Sequence, residues 1–338
     1  MAERGRDDPT ASRLPSGQAG TDRSSAWAEK LRRRIARLRR GGMLDSRAAG
    51  ATVERATTLE ALKAAYELVH QVYVEKGYIV RRDRGLRVRV FEALPDMATF
   101  VACIDGDVAA VTSVVTDSEE LGLPSDHVFS AEIAALRDEA PPLCEITNLA
   151  VAPAYRSTPV FMQLTQACFA HALRAGCGNL FIAISPGHTR FFHDVLQFEP
   201  FGTRRSYSTE VDDPVEGMRL RLTDSEARAR AFDALMGSEA FLHAYYFGDN
   251  EYHQRVDAWN RQAAALFGNP EQVQELFLFC SELLFDCSDE ELEALEHRWG
   301  PGVFWSVWGE PEVAVDGLRG PKRDAGRTTS SDVVRRTP

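Results

Sequence analysis

A charged residue inside an otherwise apolar run is the strongest chemical signal in this 338-residue chain. The run LCEITNLAV at residues 143–151 predicts a buried strand, and Glu145 is its one charged member. Strand alternation predicts that Glu145 and Thr147 share one face with Leu149 and Val151. A carboxyl group among apolar side chains has a raised pKa, which makes it a better general base near neutral pH. The alternative is a strand residue that faces solvent or pairs with an arginine.

The turn after this strand offers backbone donors for an anion. A helix is predicted over residues 158–175, and the first N–H groups of a helix have no partner within it. Such groups bind a phosphate, and N–H groups at the end of the strand can stabilise a developing oxyanion. The candidate binding residues are Ala150, Val151, Arg156, Ser157 and Thr158.

Histidines and arginines supply further candidates. His188 and His193 are each a candidate acid or acceptor-site residue, and the alternative for each is a structural histidine. Five arginines fall within nine residues of an otherwise acidic body, namely Arg81, Arg82, Arg84, Arg87 and Arg89. A basic cluster of this kind suits an acidic partner, whereas a solvated loop is the alternative. No metal site is predicted, because the six cysteines fit no common zinc spacing.

The elements that must position these residues predict a mixed α/β sheet with helices on its faces. The predicted strands cover residues 86–91, 97–104, 108–115, 143–151, 179–185, 198–209 and 215–222. Helical spacing of apolar residues places a helix before the first of these strands, which ends near residue 74, and a second over residues 158–175. From residue 224 onward the pattern is entirely helical. The sequence therefore predicts one sheet domain and a helical addition.

Charge is distributed unevenly along the chain and predicts four parts. They are a disordered N-terminal arm with a basic amphipathic helix (1–50), the mixed α/β domain (51–223), an acidic helical extension (224–311) and a disordered tail (312–338). The arm carries a net charge of +6, whereas the chain as a whole carries −11. A net-acidic chain argues against nucleic-acid binding.

The composition also predicts a cytoplasmic protein. No apolar run approaches the ~20 residues of a membrane-spanning helix, the first residues lack the apolar core of a secretory signal, and the cysteines are expected to be buried reduced thiols. Residues 25–40 place apolar side chains on one helical face and arginines on the other. Such a helix can lie on the inner membrane surface as a peripheral contact. The alternatives are packing on the acidic body of the protein and a partly solvated arm.

Four stretches carry a resemblance to a known family. They are VYVEKGYI (72–79), DSEELGLPSD with EIAALRDE (117–126 and 132–139), CEITNLAVAPAYR (144–156) and ISPGHTRFFHDVLQFEPFG (184–202). Together they resemble the GNAT acyltransferase superfamily and, more closely, its FeeM-type N-acyl amino acid synthase branch, which is related to acyl-homoserine lactone synthases. The resemblance implies a GNAT-like mixed sheet. It also implies transfer of a long-chain fatty acyl group from acyl-acyl carrier protein to the amino group of an amino acid.

The resemblance assigns roles to the candidate residues. It implies that Glu145 is the base, that the strand end and loop at residues 150–158 bind the phosphopantetheine arm of the donor, and that the arginine cluster docks the carrier protein. It implies no tightly bound cofactor, because the phosphopantetheine thioester is the donor substrate. Pro159 and Phe161 depart from the glycine-rich loop usual in the superfamily, which weakens a coenzyme A pyrophosphate site.

Two further departures leave alternatives open. Phe191 and Phe192 stand where the superfamily often has a tyrosine acid, and Asn148 stands where the lactone synthases have an arginine. One alternative is a short-chain acyltransferase that uses coenzyme A. The other is a catalytically idle GNAT fold that serves as a binding or scaffold module. The aromatic residues of the extension are expected to pack on each other or on the sheet, with an acyl-chain channel as the less favoured role.

Overall fold

The computed structural model describes residues 18–45, 50–139, 141–207 and 214–309 of the chain. The predicted disordered tail at 312–338 and the first 17 residues of the predicted arm lie outside this part.

A seven-stranded sheet forms the centre of the protein. Its strands are β1 (Thr52–Arg55), β2 (Ala98–Ile104), β3 (Asp107–Thr116), β4 (Leu143–Val151), β5 (Asn179–Ile184), β6 (Glu199–Ser206) and β7 (Pro214–Arg221). Their order is β1-β2-β3-β4-β5-β7-β6. Only β4 and β5 pair in parallel, and the other pairs are antiparallel. This is the GNAT-like mixed sheet that the sequence predicts.

Helices cover both faces of the sheet, so two apolar cores form, one on each side. The helices are α1 (Gln18–Arg40), α2 (Leu59–Lys76), α3 (Asp126–Glu139), α4 (Val160–Arg174), α5 (Pro186–Asp194), α6 (Ser225–Met236), α7 (Val256–Phe267), α8 (Pro270–Gln274), α9 (Leu283–Asp286), α10 (Asp289–Trp299) and α11 (Pro301–Trp308). Residues of α2 and α3 belong to one core, whereas residues of α1, α4 and α5 belong to the other.

The prediction of a strand at residues 86–91 is wrong. The chain there is extended but pairs with no strand, and a short 3-10 turn follows. The alternation that prompted the prediction is nevertheless present, because Leu86 and Val88 are buried while Arg87 and Arg89 are only partly buried. An extended segment packed between α2 and the sheet gives the same two-residue period as a strand does. The period therefore reports burial and not hydrogen-bonded pairing.

The helical extension packs on both sides of the sheet domain, although two of its aromatic residues, Phe279 and Phe285, are exposed. Its first part contacts α4, where the Tyr245 hydroxyl donates to the carbonyl of Met162 at 2.7 Å. Its second part reaches the other core, where the Trp299 indole N–H donates to the carbonyl of Ala93 at 2.7 Å. Both rings are buried. A buried tyrosine or tryptophan needs such a partner for its polar atom, so these bonds fix the extension on the domain.

Helix α1 packs on the protein itself, which was one of the alternatives for residues 25–40. Leu31 and Ile35 on its apolar face are buried in the core that contains α4. The Arg32 guanidinium donates twice to the carbonyl of Leu235 at the end of α6, at 3.0 and 2.7 Å. Leu31 and Ile35 are therefore covered by protein, whereas Trp27 on the same helix is exposed. Within the part of the chain that the structure describes, no helix is both long and apolar enough to cross a bilayer.

The expectation that every cysteine is a reduced thiol is wrong for one pair. Cys144 on β4 and Cys177, just before β5, form a disulfide across the two parallel strands. Their Cα atoms are 6.2 Å apart, a separation that parallel neighbours in a sheet bring within reach. Cys103, Cys168, Cys280 and Cys287 are free thiols.

We predict that Ile35→Ala lowers the free energy of unfolding by about 2–4 kcal/mol, the usual cost of truncating a fully buried aliphatic side chain. Denaturant unfolding followed by circular dichroism measures this change. The matched control is Arg33→Ala, because Arg33 lies on the same helix with its side chain 70% exposed. Equal stability of the two variants would mean that α1 is not part of the folded core.

Candidate functional site

A cleft opens in the sheet where two parallel strands separate. The ladder between β4 and β5 runs only from the pair Leu143 and Asn179 to the pair Ile146 and Ile182. Beyond it β4 continues to Val151, still paired with β3 on its other side. A cavity of about 790 Å³ lies along this separation. Because the β5 side of β4 has lost its partner strand there, its backbone groups are free to meet a ligand.

A β-bulge at Asn148 changes which side chains of β4 share a face. Asn148 has a φ of 55°, and one residue of β3, Thr112, lies opposite two of β4, Asn148 and Leu149. One extra residue reverses the alternation beyond the bulge. Glu145 and Thr147 therefore share a face with Ala150, whereas Val151 lies on the opposite face. The predicted grouping of Val151 with Glu145 is wrong for this reason.

Glu145 lies in the middle of β4 with 1% of its surface exposed, and its carboxyl group lines the cavity. Ser125, the residue before α3, holds both of its oxygens. The Ser125 hydroxyl donates to Oε1 at 2.6 Å and the Ser125 N–H donates to Oε2 at 2.9 Å. The orientation of the carboxyl group is therefore set by α3 from one side and by the strand from the other.

Burial decides the acidity of this group. It raises the pKa of Glu145 to about 7, while the two hydrogen bonds from Ser125 and the positive charge of Arg89 act in the opposite direction. Desolvation disfavours the charged form of a carboxyl group more strongly here than its partners favour it. A carboxyl group with a pKa near neutrality can both accept and release a proton under ordinary conditions. The raised pKa expected for Glu145 is thus present in the structure.

Two of the five clustered arginines turn inward and build a buried network beside the cavity. The Arg87 guanidinium donates to the Asn148 side-chain oxygen at 2.6 Å, and the Asn148 amide donates to Glu92 at 2.8 Å. Arg89 forms an ion pair with Glu92 at 2.7 Å. Burial is the largest single influence and raises the pKa of Glu92, but the charge and hydrogen bonds of Arg89, the charge of Arg87 and the hydrogen bond from Asn148 together outweigh it and hold that pKa low. Arg87 lines the cavity itself.

The inward position of Arg87 and Arg89 corrects their assignment to a docking surface. The alternation of residues 86–89 places both side chains on the cavity side of the extended segment, where neither can meet a large partner. Arg81 and Arg82 remain exposed at the surface. Arg84 is also exposed and forms an ion pair with Glu282 of the helical extension.

Three side chains near Glu145 were not identified from the sequence. Ser125 lies in the DSEELGLPSD stretch that carried part of the resemblance, so its segment was indicated but not its role. Tyr207 and His127 also line the cavity, and their rings meet edge to face at 5.0 Å. Burial raises the pKa of Tyr207 to about 12, and Glu145 adds to this effect. The end of β6 gave no chemical pattern that would indicate Tyr207.

The predicted donor loop lies at the other end of the cavity. The residues that line this end are Val151, Arg156, Ser157 and Thr158. Ala150 is buried and does not line the cavity. The guanidinium of Arg156 forms a bidentate ion pair with Glu75 at 3.0 and 2.9 Å. That pair lies at the surface and holds the loop against α2.

Few backbone donors of this loop are free. The N–H groups of Tyr155, Arg156 and Thr158 already donate to carbonyls within the turn. Pro159, which precedes α4, has no N–H group. A pyrophosphate needs several convergent N–H donors, and these three are already used within the turn.

The two candidate histidines lie in different surroundings. His188, on α5, lines the cavity together with Phe191 and Phe192 of the same helix. His193 is exposed, hydrogen-bonds the neighbouring Asp194 at 3.1 Å, and is not among the residues that line the cavity. His188 therefore lies beside the site, whereas His193 does not line it.

Comparison with known proteins identifies one family. Residues 64–221 match the family model described as N-acyl amino acid synthase FeeM. No curated protein matches the chain. The matched segment runs from α2 to β7, so it contains Glu145, the donor loop and every residue that lines the cavity except Met43, but neither α1 nor the helical extension.

Three solved structures illustrate what this chain is similar to. FeeM, an N-acyl amino acid synthase from uncultured soil microbes, is 23% identical over 52% of this chain and 93% of its own, with a TM-score of 0.47. The CoA-dependent acyl-homoserine lactone synthase BjaI with SAM and isopentyl-CoA is 18% identical over 54% and 90% of the two chains, with a TM-score of 0.41. An acyl-CoA N-acyltransferase from Pseudomonas aeruginosa is 17% identical over 50% and 97%, with a TM-score of 0.34.

We predict that Glu145→Gln becomes more stable relative to wild type as the pH rises from 5 to 8. The wild-type carboxyl group has a pKa of about 7 when folded and an ordinary, lower value when unfolded. The unfolded state therefore releases its proton first as the pH rises, and stability is lost between about pH 4.5 and 7. The difference in unfolding free energy between variant and wild type should grow by roughly 2–3 kcal/mol from pH 5 to pH 8.

Denaturant unfolding at the two pH values measures this difference. The control is Glu271→Gln, since Glu271 is exposed on α8 far from the cavity. A pH-independent difference for Glu145→Gln would show that the carboxyl group is ionised in the folded protein at pH 5.

Proposed function

We propose, because residues 64–221 match the family model described as N-acyl amino acid synthase FeeM, that this chain transfers a long-chain fatty acyl group from acyl-acyl carrier protein to the amino group of an amino acid. The match supports an acyltransferase; the donor and the acceptor are the subject of the proposal. The observation that carries it is the buried carboxyl group of Glu145, which opens into the cavity with a pKa of about 7.

Glu145 is the proposed base for amide formation. The α-ammonium group of an amino acid must lose a proton before its nitrogen can attack, and a carboxylate of matched pKa accepts that proton. The nitrogen then forms a bond to the thioester carbonyl carbon, the carbon–sulfur bond breaks, and the sulfur leaves as a thiolate. The nitrogen loses a second proton in this step. One of the two protons ends on the thiol and the other passes to solvent.

The proposed oxyanion site is the unpaired side of β4 beyond the bulge. A tetrahedral intermediate carries a negative charge on the former carbonyl oxygen, which backbone N–H groups can stabilise. The N–H groups around Ala150 and Val151 are the candidates, because β4 has no partner on its β5 side there. His188 lines the same cavity and is the candidate acid for the leaving sulfur.

A phosphopantetheine arm fits the loop at residues 152–158 better than coenzyme A does. The arm of a carrier protein has one phosphate at this point, whereas coenzyme A has a pyrophosphate and a further nucleotide. The internal bonding of the loop and the proline at position 159 leave few N–H donors for a larger anion. This supports a carrier-protein donor over coenzyme A, which is the alternative.

An acidic carrier protein would dock beside the cavity on the exposed arginines. Arg81, Arg82 and Arg84 form the proposed surface, with Lys76 at the rim of the cavity. Opposite charges on two surfaces raise the rate of encounter. The reaction is proposed to take place in the cytoplasm, without nucleic acid and without a membrane contact through residues 25–40, because Leu31 and Ile35 are buried in the protein itself.

Acylated carrier proteins, incubated with the protein and an equimolar mixture of the twenty standard amino acids, should give N-acyl amino acids detectable by mass spectrometry. Glu145→Gln should lower turnover by at least 100-fold because it cannot accept a proton, with the fold retained. For the wild type, the rate should rise with pH through about 7, as Glu145 loses its proton.

The matched donor is coenzyme A that carries the same acyl chain. Preferential use of the coenzyme A thioester would replace the proposed donor. No product from any chain length with either donor would favour the binding or scaffold role. Undiminished turnover by Glu145→Gln would remove the base assignment.

We predict that Arg81→Glu combined with Arg82→Glu lowers kcat/KM for acyl-acyl carrier protein by about 10-fold or more at low salt. The same variant should act normally on an acyl-pantetheine thioester, which has no protein surface. The control is Arg230→Glu combined with Arg261→Glu, because both residues are exposed on the helical extension. Equal loss with both donors would mean that these arginines do not dock the carrier.

A further inference from the structure

We propose that Arg87 binds the carboxylate of the acceptor, so that the enzyme requires an acceptor with both an amine and a carboxylate. The inference rests on the proposed function and names the side chain that makes an amino acid, and not a simple amine, the acceptor. It moves Arg87 from the predicted docking surface into the site.

The Arg87 guanidinium, beside the cavity, forms no ion pair with a described carboxylate, and the charge of Glu92 acts on it only from a greater distance. The guanidinium donates to the neutral side-chain oxygen of Asn148 at 2.6 Å and lies over the ring of Tyr73 at 5.0 Å. Among the described residues, no carboxylate lies within 4.0 Å of its nitrogens. Burial is the main cause of a lowered pKa for this guanidinium, and the charge of Arg89 lowers it further. A buried cation that forms no ion pair is strongly stabilised by an anion that enters with the ligand.

The nearest carboxylate is already used. Glu92 accepts from Arg89 through both of its oxygens, at 2.7 and 3.2 Å, and from the amide of Asn148. Because the Asn148 amide nitrogen points at Glu92, its oxygen is the atom that faces Arg87. Asn148 thus fixes the guanidinium from one side, and the remaining N–H donors of its fork are left for a ligand. A planar guanidinium with two free donors matches a carboxylate in geometry as well as in charge.

Arg87 and Glu145 face the same chamber. Both line the cavity, as does Tyr207, whose pKa responds to the charges of Glu145, Arg89 and Arg87. With Glu145 ionised, the chamber holds two cations and two carboxylates. When Glu145 takes a proton from the incoming amine, one positive charge is left over. A carboxylate on Arg87 neutralises it, so a zwitterionic acceptor matches the chamber before and after the proton moves.

The other cations near the cavity are less suited to this role. Arg156 is held by Glu75 in a bidentate pair, and Arg89 is neutralised by Glu92. Lys76 lies at the rim with its side chain exposed to solvent, where an ion pair contributes little. These comparisons leave Arg87 as the side chain for an enclosed carboxylate.

The test compares an amino acid with its carboxamide, which keeps the amine and the side chain but lacks the negative charge. The acceptor is the standard L-amino acid that the wild type acylates fastest from an equimolar mixture. Wild type should prefer the acid by at least 10-fold in kcat/KM. Arg87→Gln should lower kcat/KM for the acid by about 10- to 100-fold and leave the value for the carboxamide within about threefold.

Arg87→Lys keeps the charge but not the fork, so its preference for the acid should lie between those of wild type and Arg87→Gln. It also serves if Arg87→Gln does not fold. Arg261→Gln is the matched control, because Arg261 is exposed on α7 away from the cavity. Loss of activity towards acid and carboxamide by the same factor would overturn the proposal, since it would mean that Arg87 only supports the structure.

Calorimetric titration separates this proposal from the function it rests on. Each of the twenty standard amino acids is titrated into wild type and into Arg87→Gln without any acyl donor. Binding that depends on Arg87, in a protein that acylates none of them, would support the carboxylate site and reject the proposed reaction. Acyl transfer that is equally fast to acid and carboxamide would support the proposed reaction and reject the carboxylate site.

Discussion

The separation of two parallel strands is the constraint on which the site depends. A parallel pair normally satisfies the backbone groups of both strands along their whole length. Here β4 continues beyond Ile146 without its neighbour, and the bulge at Asn148 bends it away. The gap creates the cavity, exposes backbone donors and brings a buried carboxyl group to a surface that a ligand can reach. Every proposed contact lies along this one interruption of the sheet.

Two kinds of buried charged group lie at this interruption. One kind forms an ion pair, and the other has neutral hydrogen-bond partners. Glu92 and Arg89 neutralise each other, and Asn148 satisfies a further lone pair of Glu92, so this pair is a fixed support. Among the described residues, the side-chain hydrogen-bond partners of Glu145 and Arg87 are neutral, namely Ser125 and Asn148. A buried group that is oriented but not neutralised is poised to interact with a charged ligand. The ion pair of Glu92 and Arg89 thus stabilises the site, whereas Glu145 and Arg87 are available to a substrate.

Much of the fold followed from the sequence because periodicity reports burial directly. The strands around the site, the helix after β4 and the setting of Glu145 were all indicated by apolar patterns. The bulge was not, since one extra residue leaves no mark in composition, and it changed the face on which Val151 lies. Arg87 and Arg89 show the same limit: alternation identified an extended segment but not which side of it meets solvent. Pairings between distant residues, such as Ser125 with Glu145, depend on the folded chain.

Helix α1 lies outside the matched segment, yet the turn that follows it reaches the cleft. Met43 is one of the residues that line the cavity, and the neighbouring Leu44 packs on the core that contains α4. One wall of the chamber is thus built by a part of the chain that the family match does not include. A protein trimmed to the matched residues would keep every reactive group but have an open side, through which water and a lipid tail could pass.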